Sequence, residues 1–345
     1  MEEPLLQRPL TNPLKTMQLR NISLSHISVP ILLGLSLGFS QKASAANLGL
    51  AGNYILFATG NVTQTNSDID GALAAGGSVN LMYSGVGSSL TTSQKSSIIN
   101  DDVLVAGGSV KLTNGEFYGN VVYGTSSSSS YSETGAGIEG TVSAGTPIDF
   151  SATGDSLVSL STNLSTLTPI ETITNTTQAE EITLTGNNSS LDVFDVSGEA
   201  LYHANGFAIN VPTGATVVVN VSGTNDNGTS DSGTSDTLQN FGFTINGTSA
   251  ENGTNQEDVL FNFYQATSLT ARSITIDGSI LAPNAAFSFS DGSVQGNVVV
   301  ASYSGSGEIE DYPFQGNLPS SVPEPSSFLG SLVAVGFGIA LRFRK

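Results

Sequence analysis

The chain of 345 residues contains no cysteine. Disulfides and thiolate chemistry are excluded, so an exported life would rest on packing and backbone hydrogen-bond ladders. Basic residues are also scarce, 10 against 29 acids, for a net charge of -19. Most of the basic residues lie at the two ends, which leaves Lys95, Lys111 and Arg272 in the body. Of the acids, only Glu2, Glu3 and Glu324 lie at those ends. So acidic a body repels phosphate backbones and anionic lipid heads, which excludes nucleic acid as a partner. Histidine is limited to His26 and His203, of which only His203 falls in the body, too few for a zinc cluster. A Ser-His-Asp triad through His203 is formally open. However, no Gly-x-Ser-x-Gly elbow precedes a helix, and Gly305-Ser306-Gly307 reads as a turn. No enzymatic activity is expected.

What the chain does contain is hydroxyls, amides and glycine. Only 11% of residues are charged and 38% are hydrophobic, with 39 glycines. Short Val/Ile runs alternate with Gly-Asn-Ser-Asp clusters, the pattern of many short strands and turns. Near the N-terminus, Lys15 and Arg20 precede the apolar run from Val29 to Phe39, followed by Ala43-Ser44-Ala45. Charged, apolar and small segments in that order predict a signal peptide over 1–45, with Ala46 the first mature residue and Met17 an alternative start. The apolar run is too short to span a hydrocarbon core of roughly 30 Å.

The C-terminus reads Val322-Pro323-Glu324-Pro325, then an apolar stretch from Phe328 to Leu341, then Arg342, Arg344 and Lys345. This resembles the PEP-CTERM sorting signal. The resemblance implies recognition by an exosortase-type membrane protease, with the apolar stretch (320–345 overall) held transiently in the inner membrane as a transmembrane helix. The basic end would stay cytoplasmic. Signal peptidase and the exosortase are then the partners during export, and the product is cell-surface or extracellular.

Between the ends, one phrase recurs: apolar, any, Gly, any, apolar, any, small. It appears at Ile69–Ala75, Ile138–Ala144 and Ile276–Ala282, with looser copies around Gly119 and Gly296. Gly119 to Gly140 is 21 positions and Gly278 to Gly296 is 18. Either spacing suits one circuit of a solenoid whose coils pair as parallel strands. The reading is an all-β, right-handed parallel β-solenoid (β-helix) with one flanking α-helix, over residues 46–319. Leu73, Val121, Val142, Ile280 and Val298 are expected in one inward column. The competing architecture is a β-sandwich in which these glycines are hairpin turns. The helix is predicted between Thr146 and Thr168, with Phe150, Leu157, Leu160, Leu164 and Leu167 on one face. Its expected cap is Asp155 or Ser156.

Asn53 to Gln64, leading into Asp68-Ile69-Asp70-Gly71 and Ala75-Gly76-Gly77, resembles the opening of the choice-of-anchor A domain. Leu191 to Gly198 resembles its middle, and Ile274 to Phe314 its end. The resemblance spans roughly 50–317 and implies a secreted or surface-attached protein with no set activity. Its Leu281-Ala282-Pro283-Asn284-Ala285 phrase is also distantly similar to ice-binding adhesin domains. Ice binding needs a flat, regular Thr-rich face, whereas the Thr clusters at 166–185 and 224–237 follow no single period.

The loop with Asp226, Asp231 and Asp236 is the candidate metal site, offering oxygen ligands to calcium; no other cofactor is expected. A solvated loop is the plainer reading, because full EF-hand spacing is missing. The expected function is an exported structural or adhesive protein that meets extracellular polysaccharide, biofilm matrix or a neighbouring cell surface. The alternatives are a polysaccharide lyase, which would need Arg272 beside an acid cluster, and an ice-binding-type adhesin.

Overall fold

A computed structural model describes residues 48–169, 172–174, 181–223, 235–239, 242–249 and 255–319. The leader with Ala43, Ala45 and Ala46 lies outside them, as does the tail with Val322, Pro323, Glu324, Pro325, Arg342, Arg344 and Lys345.

The body is a parallel β-solenoid. Its first face is a ladder of ten parallel strands whose inward residues stack in one column. The order is Phe194, Val219, Phe261, Ile280, Val298, Leu56, Leu73, Leu104, Val121 and Val142. All five residues expected to share a column do so. The expectation fails for Val142 on burial: it is 37% exposed, whereas the other four are fully buried. Val142 sits on the last rung, so no further coil covers it.

Chain order along the ladder is not sequential. From Leu56 the chain winds outward to Val142, and the remaining coils begin at the opposite end with Leu191–Ser197. They work back until Val298–Gly305 seats beside Leu56–Ala58. The start and finish of the solenoid thus meet at an internal seam, sealed by Val298 N–H to Ile55 O at 2.7 Å and Gly60 N–H to Ala301 O at 2.7 Å.

The helix Phe150–Ser165 bridges the two halves on the outer side of this face. It starts nearly two turns before the expected cap, because the Asp149 carboxylate accepts from Ala152 N–H at 3.0 Å. The Phe150 ring lies 5.5 Å from Phe57 near the seam. Further along, Ser161 Oγ donates to Asn262 Oδ1 at 2.6 Å, and Asn262 Nδ2 donates to Asn220 Oδ1 at 2.8 Å. Asn220 Nδ2 then donates to Leu164 O at 3.0 Å. Leu157, Leu160 and Leu164 are buried, as the spacing predicted. The helix tolerates its Ser and Thr content because hydroxyls fold back on carbonyls four residues earlier, as Ser159 does on Asp155 and Thr162 on Val158. With apolar packing on both sides, the strands of this face read as continuous Val/Leu/Ala runs.

Circuits close where glycines stack. A Cβ on Gly140 would lie 2.4 Å from Gly119 C, and one on Gly296 would lie 2.6 Å from Gly278 C. These are the two pairs whose spacing suggested one circuit, and only a residue without a side chain permits that approach. A smaller five-stranded sheet, with Glu181–Thr185, Gly206–Asn210 and Gly242–Ile245 as its parallel centre, lies on the later half. Its Phe207 and Phe243 meet Phe261 of the first face, with ring centroids 5.8 and 5.5 Å away.

Candidate functional site

On the second face of the solenoid inward and outward side chains alternate, most cleanly in Val62–Thr65 and Val79–Met82. Its inward column runs Leu269, Phe287, Tyr303, Val62, Val79, Val110 and Tyr131. Phe287 packs edge-on against Tyr303 at 5.8 Å and stacks on Phe289 at 5.6 Å, giving this wall a stiff aromatic backing. Tyr303 is therefore core.

The outward positions of the same strands form rows. One row runs Thr270, Ser288, Ser304, Thr63, Asn80, Lys111 and Ser132. A second contains Thr65, Met82, Thr113 and Thr134, with Arg272 opposite Ser290 further along the face. Parallel rungs lie about 4.8 Å apart, so the first row presents four consecutive hydroxyls at that repeat. Thr63, Thr65, Thr270, Arg272, Ser288, Ser290, Ser304 and Ser306 are among the residues lining a shallow, open trough of ≈ 390 Å³. Its lining includes no carboxylate. The sequence showed no Thr period because the coils are unequal: Thr63 to Asn80 is 17 positions, Asn80 to Lys111 is 31 and Lys111 to Ser132 is 21. Register, which only the fold supplies, brings the hydroxyls together.

The third face stacks Ile276, Val294, Ile309, Ile69, Val86, Phe117 and Ile138 inward. Its outer side is acidic. Burial raises the Glu308 carboxyl above its ordinary range, and Asp70, Glu310 and Asp68 push it further. Burial likewise raises Asp311; Gln94 Nε2, donating to its carboxylate at 2.6 Å, opposes that rise, while Asp70 and Glu257 add to it. Burial lifts Asp277 to about 7, with Glu310 adding to the effect.

Asp236 falls within the strand Ser235–Gln239, opposite Leu269, while Asp226 and Asp231 lie outside the described residues. Among the described residues, no three His, Asp or Glu side chains gather into a metal-holding group. His203 closes the short helix Gly198–His203, its ring edge-on to Tyr202 at 4.9 Å. Arg272 lines the shallow trough together with Ser288, Ser290 and Ser304. No helix among the described residues is long and apolar enough to cross a membrane.

The fold and site together define a parallel solenoid that carries an open polar trough on one face. The family model described as "Putative Ice-binding-like adhesive domain" matches residues 47–311, and the chain belongs to that family. No curated protein matches the chain. Among solved structures, a glycosylated ice-binding protein from an Arctic yeast is similar at 14% identity and a TM-score of 0.35, covering 83% of this chain and 99% of that one. An ice-binding protein from an Antarctic biological consortium is similar at 11% identity and a TM-score of 0.32, with 76% and 87% covered. One from the Antarctic ascomycete Antarctomyces psychrotrophicus has 11% identity and a TM-score of 0.28, with 76% and 94% covered.

Proposed function

We propose that this protein is an exported adhesin whose second face binds extended extracellular polysaccharide. The observation that carries this reading is the register of Thr270, Ser288, Ser304 and Thr63, a row of hydroxyls on a stiff wall. Such a row matches a polymer that offers hydroxyls of its own at short repeats, through direct and water-bridged hydrogen bonds. Lys111 and Arg272, two of the three basic residues of the body, stand on this same face. Adhesion of this kind operates outside the cell. The leader ending at Ala45 and the Pro323-Glu324-Pro325 tail supply the route there, through signal peptidase and an exosortase-type protease.

Ice is the second reading, favoured by the same hydroxyl row. Against it stand Asn80, Lys111 and Met82, which break the rows at successive coils. Retention of the protein on immobilised extracellular polysaccharide, compared with Thr63→Tyr and Ser288→Tyr, separates the two. The adhesive reading expects retention to fall at least tenfold in both variants, with no ice recrystallisation inhibition in the parent. Inhibition of recrystallisation together with indifference to polysaccharide would replace it with the ice reading.

A further inference from the structure

One corner of the solenoid, away from the hydroxyl face, gathers oxygen acceptors that lack donors. Asp277, Gln295 and Glu310 occupy consecutive rungs, Asp277 opposite Gln295 and Gln295 opposite Glu310. Gln295 Nε2 donates to Glu310 Oε2 at 3.1 Å. The acceptor end of the same amide is Gln295 Oε1. That Oε1 has no hydrogen-bond partner, and neither do the two carboxylate oxygens of Asp277. Asp277 is fully buried and Gln295 is 5% exposed, so bulk water does not serve them. The two strands are drawn close by the stacking of Gly296 on Gly278, whose φ is +141°. A buried carboxylate without a partner is costly, and so is a buried amide oxygen without one.

We propose that Asp277, Gln295 and Glu310 form a divalent-cation site of the calcium type that ties three coils together. The donor set is all oxygen, as hard cations require. Calcium binds oxygen at about 2.3–2.6 Å, and adjacent parallel strands lie about 4.8 Å apart. An ion between two rungs therefore reaches oxygens from both. It would neutralise Asp277 and give Gln295 Oε1 the positive partner it lacks, with Glu310 supplying a second carboxylate from the third rung. With two carboxylates, one amide and water completing the shell, the affinity falls in the weak class of extracellular calcium modules, Kd about 10⁻⁴–10⁻³ M. Its residues are other than Asp226, Asp231 and Asp236.

Titration calorimetry of the full chain with calcium chloride at pH 8 tests the proposal, alongside Asp277→Asn and Glu310→Gln. In the parent, saturable binding in that range is expected, with about a 3 °C rise in Tm at 10 mM calcium. Asp277→Asn keeps the shape of the corner and should abolish both effects, while Glu310→Gln should weaken binding several-fold. Equal binding by parent and Asp277→Asn would overturn the proposal and move the ion elsewhere in the acidic surface. Absence of binding in the parent would overturn it too, and would leave a proton shared between Asp277 and Gln295. If Asp277→Asn failed to fold, loss of affinity in Glu310→Gln would still decide the matter.

Discussion

The seam between Leu56 and Val298 joins residues from opposite ends of the body, and its strength decides whether the solenoid unfolds as one unit. Leu56 is fully buried, stacked between Val298 and Leu73. Leu56→Ala removes about three methylene-sized groups, roughly 2.4 kcal/mol at ~0.8 kcal/mol each. Parallel ladders fix the backbone on both sides, so the site cannot collapse and a cavity adds to the loss, bringing it to about 4 kcal/mol. At about 2–4 °C per kcal/mol in a domain of this size, Tm should fall by about 8–16 °C. The control is Val142→Ala on the exposed last rung, expected within about 0.5 kcal/mol of the parent. Guanidinium unfolding followed by far-ultraviolet circular dichroism and by tyrosine fluorescence measures both. A loss below about 1 kcal/mol for Leu56→Ala would refute the seam as a packed interior. Two separated transitions in the parent would refute the coupling of the halves.

Asp in place of Val121, fully buried, should prevent folding, whereas Asp in place of Val142 should fold with nearly unchanged Tm; expression and circular dichroism compare them. Gly296→Ala would set a Cβ against three backbone atoms of Gly278 and Ser279 at 2.6–2.7 Å, so a loss of about 2–3 kcal/mol is expected by chemical denaturation. In calcium-free buffer, stability should decline as pH rises from about 4 to about 7. Over that window folded Asp277 keeps its proton while the unfolded chain, with an ordinary aspartate pKa, has released it. Asp277→Asn should flatten that part of the pH profile, and an unchanged slope would show that other acids set it. Intact mass of protein recovered from the cell surface should lack residues 328–345; their presence there would indicate a retained tail in place of a sorted one.

Much of the architecture was legible because a solenoid repeats a local constraint. Gly119 with Gly140, and Gly278 with Gly296, announced one circuit each, since coils that touch backbone to backbone admit only glycine. The spacing of Leu157, Leu160 and Leu164 announced the helix for an equally local reason, the period of its buried face. Its cap was misplaced because the Ser- and Thr-rich first turn offers several capping residues, and the choice of Asp149 is tied to the docking of Phe150 on Phe57.

The sequence by itself determined the chemistry available: no thiols, few cations, an acidic body and an abundance of hydroxyls, together with a glycine-centred repeat that suits parallel coils. Tertiary structure alone decided where the stack begins and ends. Nothing local to Val142 distinguishes it from Val121, yet one closes the stack and the other lies within it. Tertiary structure likewise decided that Thr63 and Thr270 belong to one row. Residues so far apart share a row only when the last coil seats against the first, and coils of unequal length hide that register from any fixed period in the chain.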